Sequence, residues 1–292
     1  MNVHKFLLTL SVGVFFLSLG SFATFSNDYE IWHQRRIESL KSEEGWLNLA
    51  GLYWLNEGDN TFGSDAANTL VFPEKAPKKL GILTLKDGKV AFKKQQGVDV
   101  QLLNQENGSD LVFNDEKTIT LQHGSFRWFI IKRGSKYGVR LRDLASPNVT
   151  HFKGIERFPV SGTWKLKGTF EQPKTPRTIS ITDVVGTISQ QPLLGHVVFK
   201  INEKTHRLAA TDAGDGKLFV IFKDTTAGHE TYGAGRFLYL DKPNADNSVT
   251  IDFNKAINPP CAFTEYATCP LPPNENRLSI AIPAGEKNYG MH

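Results

Sequence analysis

Gly81-Ile-Leu-Thr-Leu-Lys86, then Asp87-Gly88, then Lys89-Val-Ala-Phe-Lys93, is the stretch that decides the fold class. Leu83 and Leu85 alternate with Thr84 and Lys86, and Val90 and Phe92 with Lys89, Ala91 and Lys93. A period of two marks a strand with one buried face. The two-residue Asp-Gly link supplies the positive φ angles of a type I′ turn, so the stretch reads as a β-hairpin. Outward from it, apolar runs recur at 98–104, 118–122, 126–132 and 137–142. Phe126-Arg-Trp-Phe-Ile-Ile131 is nearly continuous in apolar character, as in a strand buried on both faces. Val139 and Leu141 alternate with Arg140 and Arg142, which predicts a half-exposed strand. Residues 50–145 thus read as one β-sandwich lobe.

Ser146-Pro147-Asn148 through Pro159 is the natural boundary, and a second β lobe is expected over 160–290. It opens with Trp164, Leu166, Gly168 and Phe170 alternating with lysines, and further strands are expected at 177–184, 195–201, 206–210, 217–222, 231–240, 249–254 and 278–283. No period of 20–50 residues repeats, which excludes propellers and solenoids. One helix precedes the lobes, over 27–44: Asn27-x-x-Glu30 forms a capping box, Tyr29, Trp32, Ile37 and Leu40 form a stripe, and Gly45 ends it. Such a helix either binds a partner or packs its Trp32 onto the domain that follows. The fold class is therefore mostly β, with two sandwich or barrel-like lobes behind one N-terminal helix.

The 292 residues are 40% hydrophobic, which excludes intrinsic disorder. The 34 basic and 30 acidic residues leave a formal charge of +4, an excess too small to point to nucleic acid, whose binding needs a concentrated basic face. Residues 1–23 read as a secretory signal peptide, with Lys5 as the positive start, an apolar run from Phe6 to Phe22, and Ser21-Phe22-Ala23 as the cleavage site. The run falls short of the ~20 residues a membrane helix needs, so no stable span is expected after cleavage. Export follows, to the periplasm in a Gram-negative cell and to the medium otherwise. In an oxidising compartment Cys261 and Cys269 are expected to pair, since C-x7-C matches no zinc motif. That bond is worth roughly 2–3 kcal/mol on loop entropy.

Familiar catalytic motifs are absent: there is no G-x-S-x-G elbow, no H-E-x-x-H and no P-loop. Gly233-Ala-Gly235 lacks the third glycine of a dinucleotide fingerprint, and Asp212-Ala-Gly-Asp-Gly216 lacks the closing Glu of a calcium loop. No cofactor is expected. His196 and His206 across a hairpin, with His229-Glu230 nearby, are the nearest thing to a metal set. Solvent-facing or singly hydrogen-bonded histidines at strand ends are the simpler explanation, and no metal is expected. Lys132, Arg133, Lys136, Arg140 and Arg142 form the densest basic run. It reads either as a site for anionic glycans or lipid headgroups or, more simply, as the wet face of a strand pair.

The candidate site lies between Asp224 and Glu286. Alternation puts Tyr232, Ala234, Arg236, Leu238 and Leu240 on one face, and an arginine among apolar neighbours requires a carboxylate or an anionic ligand. Asp252, Glu275 and Glu286 are the candidate carboxylates. A proline-clamped loop from Asn258-Pro-Pro-Cys261 through Cys269-Pro-Leu-Pro-Pro273 fixes side chains beside them. The expected ligand is a small anion or carbohydrate, with Arg236 gripping it and Tyr232, Asn254 and Asn258 as neutral hydrogen-bonders. In a hydrolase acting on an envelope carbohydrate, two of Asp252, Glu275 and Glu286 divide the acid and base roles. In a scaffold, the same residues form an arginine–carboxylate network that holds the loop.

The same residues carry a resemblance. Asp224-Thr-Thr, Thr231-Tyr-Gly-Ala-Gly-Arg236-Phe-Leu, Ile251-Asp-Phe-Asn254, Asn258-Pro-Pro-Cys-Ala-Phe, Cys269-Pro-Leu-Pro-Pro and Ala284-Gly-Glu286 resemble domain-of-unknown-function family 1684. Gly45-Trp-Leu-Asn-Leu-Ala-Gly-Leu-Tyr-Trp-Leu55 and Gly138-Val-Arg-Leu-Arg-Asp143 extend the likeness over nearly the whole chain after the signal. The resemblance implies no activity. A second likeness, of Gly63-Ser-Asp and Asn68-Thr-Leu-Val-Phe72, is to the forkhead-associated sandwich, which reads phosphothreonine through an Arg and a Ser; here Ser64 stands at the Arg position and Lys79-Leu-Gly81 where the Ser belongs.

Overall fold

A computed structural model describes residues 27–103 and 110–290. The expected signal peptide, residues 1–23, lies outside the described residues. Helix α1 covers 27–41, three residues short of the expected end. The turn that follows is closed by Gly45 N–H donating to the Ser42 carbonyl. No described helix is long and apolar enough to cross a membrane.

Ten strands build the first lobe: β1 (Leu49–Trp54), β2 (Gly58–Gly63), β3 (Leu70–Val71), β4 (Gly81–Lys86), β5 (Lys89–Lys94), β6 (Gln101–Leu103), β7 (Leu111–Phe113), β8 (Thr120–His123), β9 (Phe126–Arg133) and β10 (Lys136–Asp143). They form two five-stranded sheets, ordered β1-β10-β9-β8-β6 and β3-β2-β4-β5-β7. The β4–β5 hairpin turns at Asp87 (φ 51°) and Gly88 (φ 74°), and buries Leu83, Leu85, Val90 and Phe92. Trp128 is the keystone of this core, with Phe62 and Phe72 edge-on to it at 5.6 and 5.8 Å.

Eight strands build the second: β11 (Lys165–Glu171), β12 (Arg177–Thr182), β13 (Ile188–Leu193), β14 (Gly195–Ile201), β15 (Lys204–Asp212), β16 (Lys217–Phe222), β17 (Arg236–Asp241) and β18 (Ser248–Asp252). Six form one sheet, β17-β16-β15-β14-β11-β18, and β12–β13 stands apart as a hairpin. Beyond β18 the chain makes a 3-10 turn at Phe253–Lys255 and returns, so that Ile257 and Phe237 exchange both backbone hydrogen bonds. The sheet therefore curls into a nearly closed barrel. Its interior holds Leu218, Val220, Phe222, Leu238 and Leu240.

Three sequence expectations need correction. The strand expected at 231–240 begins only at Arg236, because 226–235 is a chain of turns. Residues 278–283 form no strand. They make only short backbone contacts with 223–225, through Leu278 N–H to the Lys223 carbonyl and Thr225 N–H to the Ile280 carbonyl. Side chains take over at Ile282, whose N–H donates to Asp224 and whose carbonyl accepts from Arg236. Third, β10 is buried from Gly138 to Asp143, so it is not half-exposed. One face of β10 meets the lobe's core through Val139 and Leu141. The other carries Arg140 and Arg142 and is covered by the 42–48 segment and the second lobe.

Candidate functional site

Arg236 is where the sequence places the anion grip, and its side chain is 1% exposed. It sits in the barrel interior over the Phe222 ring, 5.1 Å from the centroid. Its Nη2 donates to Asp224 Oδ1 at 3.0 Å and to the Ile282 carbonyl at 2.9 Å, and its Nη1 donates to the Ala284 carbonyl. The partner carboxylate, Asp224, is one that sequence reasoning missed. Its Oδ2 accepts from Thr226 Oγ1 and Ile282 N, both at 2.7 Å. This pair is a plug at the end of the barrel. The same arrangement explains why 278–283 needs no ladder.

The three candidate carboxylates belong to separate networks. Asp252 accepts from the Tyr29 hydroxyl at 2.5 Å and from Asn254 Nδ2 at 3.0 Å, which ties α1 to the end of β18. Asn254 in turn grips Ser161 through both backbone groups. Glu286 pairs with Arg36 Nε at 3.1 Å and accepts from Asn258 N at 2.6 Å. Burial pushes its pKa up, against the pull of Arg36 and that N–H. Glu275 meets His196 at 2.6 Å near the surface. His206 stacks on Phe199 instead of joining them, and no group of three or more metal-ligating side chains is assembled among the described residues. Asn258 is buried, with Nδ2 donating to the Lys287 carbonyl. Tyr232 packs with Leu40, Leu47 and Phe263, and burial raises its pKa. Cys261 and Cys269 are disulfide-bonded.

A cavity of about 280 Å³ lies instead between the lobes. From the first lobe come Arg133 and Arg140, which share the outer face of β9 and β10: the register sets Arg140 opposite Phe129 and Arg133 opposite Lys136. From the barrel's outer face come Phe219, Phe237 and Tyr239, since β16 and β17 pair Phe219 with Tyr239. The disulfide loop adds Pro260 and Ala267 to Pro270, and α1 adds Arg36. Trp46 completes the wall. It is fixed by the Arg142 guanidinium, which donates to the Gly45 carbonyl and to Asn48 Oδ1, and by Asn48, whose amide holds the Ser42 and Glu43 carbonyls. The β12–β13 hairpin braces the disulfide loop through Val184 N–H to the Cys269 carbonyl and Leu271 N–H to the Thr182 carbonyl.

The cations in this cavity are in different states. Arg36 is spent on Glu286 and the Asn258 carbonyl. Arg133 donates Nε to Thr268 Oγ1 at 3.1 Å. Arg140 is 6% exposed and lies 5.8 Å from the Trp46 ring; its buried Nε donates to no described group, and no described carboxylate pairs with it. Burial, then repulsion from Arg133 and Arg142, brings its pKa down to about 10. It is still a cation at neutral pH, desolvated and uncompensated. The basic run over 132–142 is therefore no wet face at Arg140 and Arg142. What the sequence offered as a signal was the doubly apolar Lys217-Leu-Phe-Val-Ile-Phe222, which needs a cover on both faces.

No curated protein matches the chain. Among solved structures, it is similar to the solution NMR structure of an uncharacterized protein from gene locus rrnAC0354 of Haloarcula marismortui. The identity is 26%, over 49% of this chain and 80% of that one, with a TM-score of 0.41. The Arg236–Asp224 plug, the disulfide loop and Glu286 all fall within residues 150–287, and over that range the chain matches the model of the family described as protein of unknown function (DUF1684).

Proposed function

We propose that the chain is an exported binding protein for a small anionic ligand, held between the lobes with Arg140 as its anchor. The observation that carries this reading is a buried guanidinium without a protein counter-charge, facing a cavity. An unpaired buried charge costs several kcal/mol, and an anion returns that cost on binding. Arg133, which donates to Thr268 Oγ1 and the Lys132 carbonyl but has no carboxylate partner among the described residues, adds attraction from the same sheet face. Export is supported by the apolar run of residues 6–22 and by the paired cysteines. The ligand class is the one expected from sequence, but the anchor moves from Arg236 to Arg140. Nothing in the three separate carboxylate networks favours a hydrolase.

The test is a thermal-shift panel of carboxylates, phosphates and sugars on wild type and Arg140→Met. An anion at one hundred times its dissociation constant should stabilise wild type by about 2.7 kcal/mol. The same anion should leave Arg140→Met unmoved. A shift that survives in Arg140→Met would remove the anchor from the proposal.

A further inference from the structure

The anion-binding reading leaves open what the anion is attached to, and the walls of the cavity decide it. Resting on that reading, we infer that the ligand is a compact organic monocarboxylate with an apolar body the size of an aryl ring. No lining residue is acidic, and none is a lysine. Few uncharged polar groups are left on the wall: Thr268 Oγ1 accepts from Arg133 and Asn258 Nδ2 donates to the Lys287 carbonyl, which leaves the Asn258 Oδ1 acceptor and the Tyr239 hydroxyl. A sugar, whose hydroxyls each require a partner when buried, finds too few of them here. A polyphosphate would want more than the Arg133 and Arg140 pair. A guanidinium fork, by contrast, suits a single carboxylate bidentately.

The rest of the wall is aromatic and aliphatic. Phe219 stacks on Tyr239 at 5.1 Å and meets Phe237 edge-on at 4.9 Å, so the barrel face offers a ready-made aromatic surface. Trp46 stands beside Arg140, and exposed Tyr239 marks the opening. At about 280 Å³ the cavity is at the small end of ligand sites, which run from about 300 to 1,000 Å³. A bare carboxylate or inorganic anion would leave this apolar volume unfilled, and a long acyl chain would not fit within it. Charge at one end and a flat apolar body along Phe219 is the ligand that uses every wall.

Isothermal titration of the full mature chain with phenylacetate, indole-3-acetate, acetate, inorganic phosphate and glucuronate tests this. Phenylacetate or indole-3-acetate should bind at least tenfold tighter than acetate, phosphate and glucuronate, since burying a ring gains far more than one methyl group. Phe219→Ala should lower aryl-acid affinity several-fold and leave acetate unchanged, whereas Arg140→Met, or Arg140→Gln if that variant does not fold, should abolish both. Phosphate, acetate or glucuronate binding as tightly as the aryl acids, with the same loss in Arg140→Met, would overturn the aryl-acid inference and leave the anion site standing. An equal effect of Phe219→Ala on acetate and aryl acids would overturn it too. No binding by any probe to wild type, or binding indifferent to Arg140, would overturn both.

Discussion

Two arginines at the residue scale carry opposite energetics. Arg236 and Asp224 are both 1% exposed and paired at 3.0 Å. Removing one member leaves the other's charge uncompensated in the barrel, so Arg236→Met is expected to destabilise the protein by about 3–5 kcal/mol. Arg140 has no such partner among the described residues, and its cation is a cost to the unliganded fold. Arg140→Met fills the same space without that charge, and should leave the unliganded protein as stable as wild type or about 1 kcal/mol more stable. Urea titration of both variants without ligand separates the roles. A large loss in Arg140→Met would mean that its guanidinium is held by protein oxygens, and a small loss in Arg236→Met would mean that the plug is dispensable.

At the scale of elements, α1 shows how a local signal and a distant partner differ. The capping box and the apolar stripe are local, so the helix is legible in sequence. Its docking is not, because Tyr29 reaches Asp252 across 223 positions and Arg36 reaches Glu286 across 250. The β4–β5 hairpin was legible for the same reason that α1 was. In β10, alternation says that Arg140 and Arg142 share a face but not what covers that face, and the cover arrives from a second lobe. For 278–283 the apolar pattern is real, but the pairing with 223–225 stops at Ile280, and Arg236 and Asp224 capture the backbone groups of Ile282 that would continue it. Docking of α1 also yields a pH dependence. His33 is lowered by burial, then by the Arg157 and Arg36 cations, against Glu30 and a backbone bond at Ile155 that raise it. The unfolded chain then binds a proton near pH 6.5 that the folded chain refuses, so His33 contributes stability that is present above that pH and lost as pH falls through the folded pKa. Melting temperatures across pH 7 to 5 should fall in wild type, with a contribution from this group of at most about 1.4 kcal/mol per pH unit. His33→Gln should flatten that part of the profile. An unchanged slope in the variant would assign the acid sensitivity to other groups.

The two largest hydrophobic cores among the described residues are separate, one drawn from residues between Phe62 and Leu141 and one from residues between Phe170 and Ala284, with two smaller clusters beside them. Each core is large enough to melt on its own, so calorimetry of the unliganded protein should resolve two overlapping transitions. The cavity takes Arg133 and Arg140 from the first lobe and Phe219, Phe237 and the disulfide loop from the second, so unfolding of either lobe destroys it. A ligand that binds only the intact site stabilises whatever state still contains both lobes. It must therefore raise the first transition, and it cannot raise the second, which begins from a state that has already lost the site. At one hundred times its dissociation constant, the ligand's ~2.7 kcal/mol should push the lower transition toward the higher until the two merge into one cooperative step. A ligand that moves the upper transition and leaves the lower where it was would belong to one lobe alone, and the Arg140 cavity would then not be where it binds.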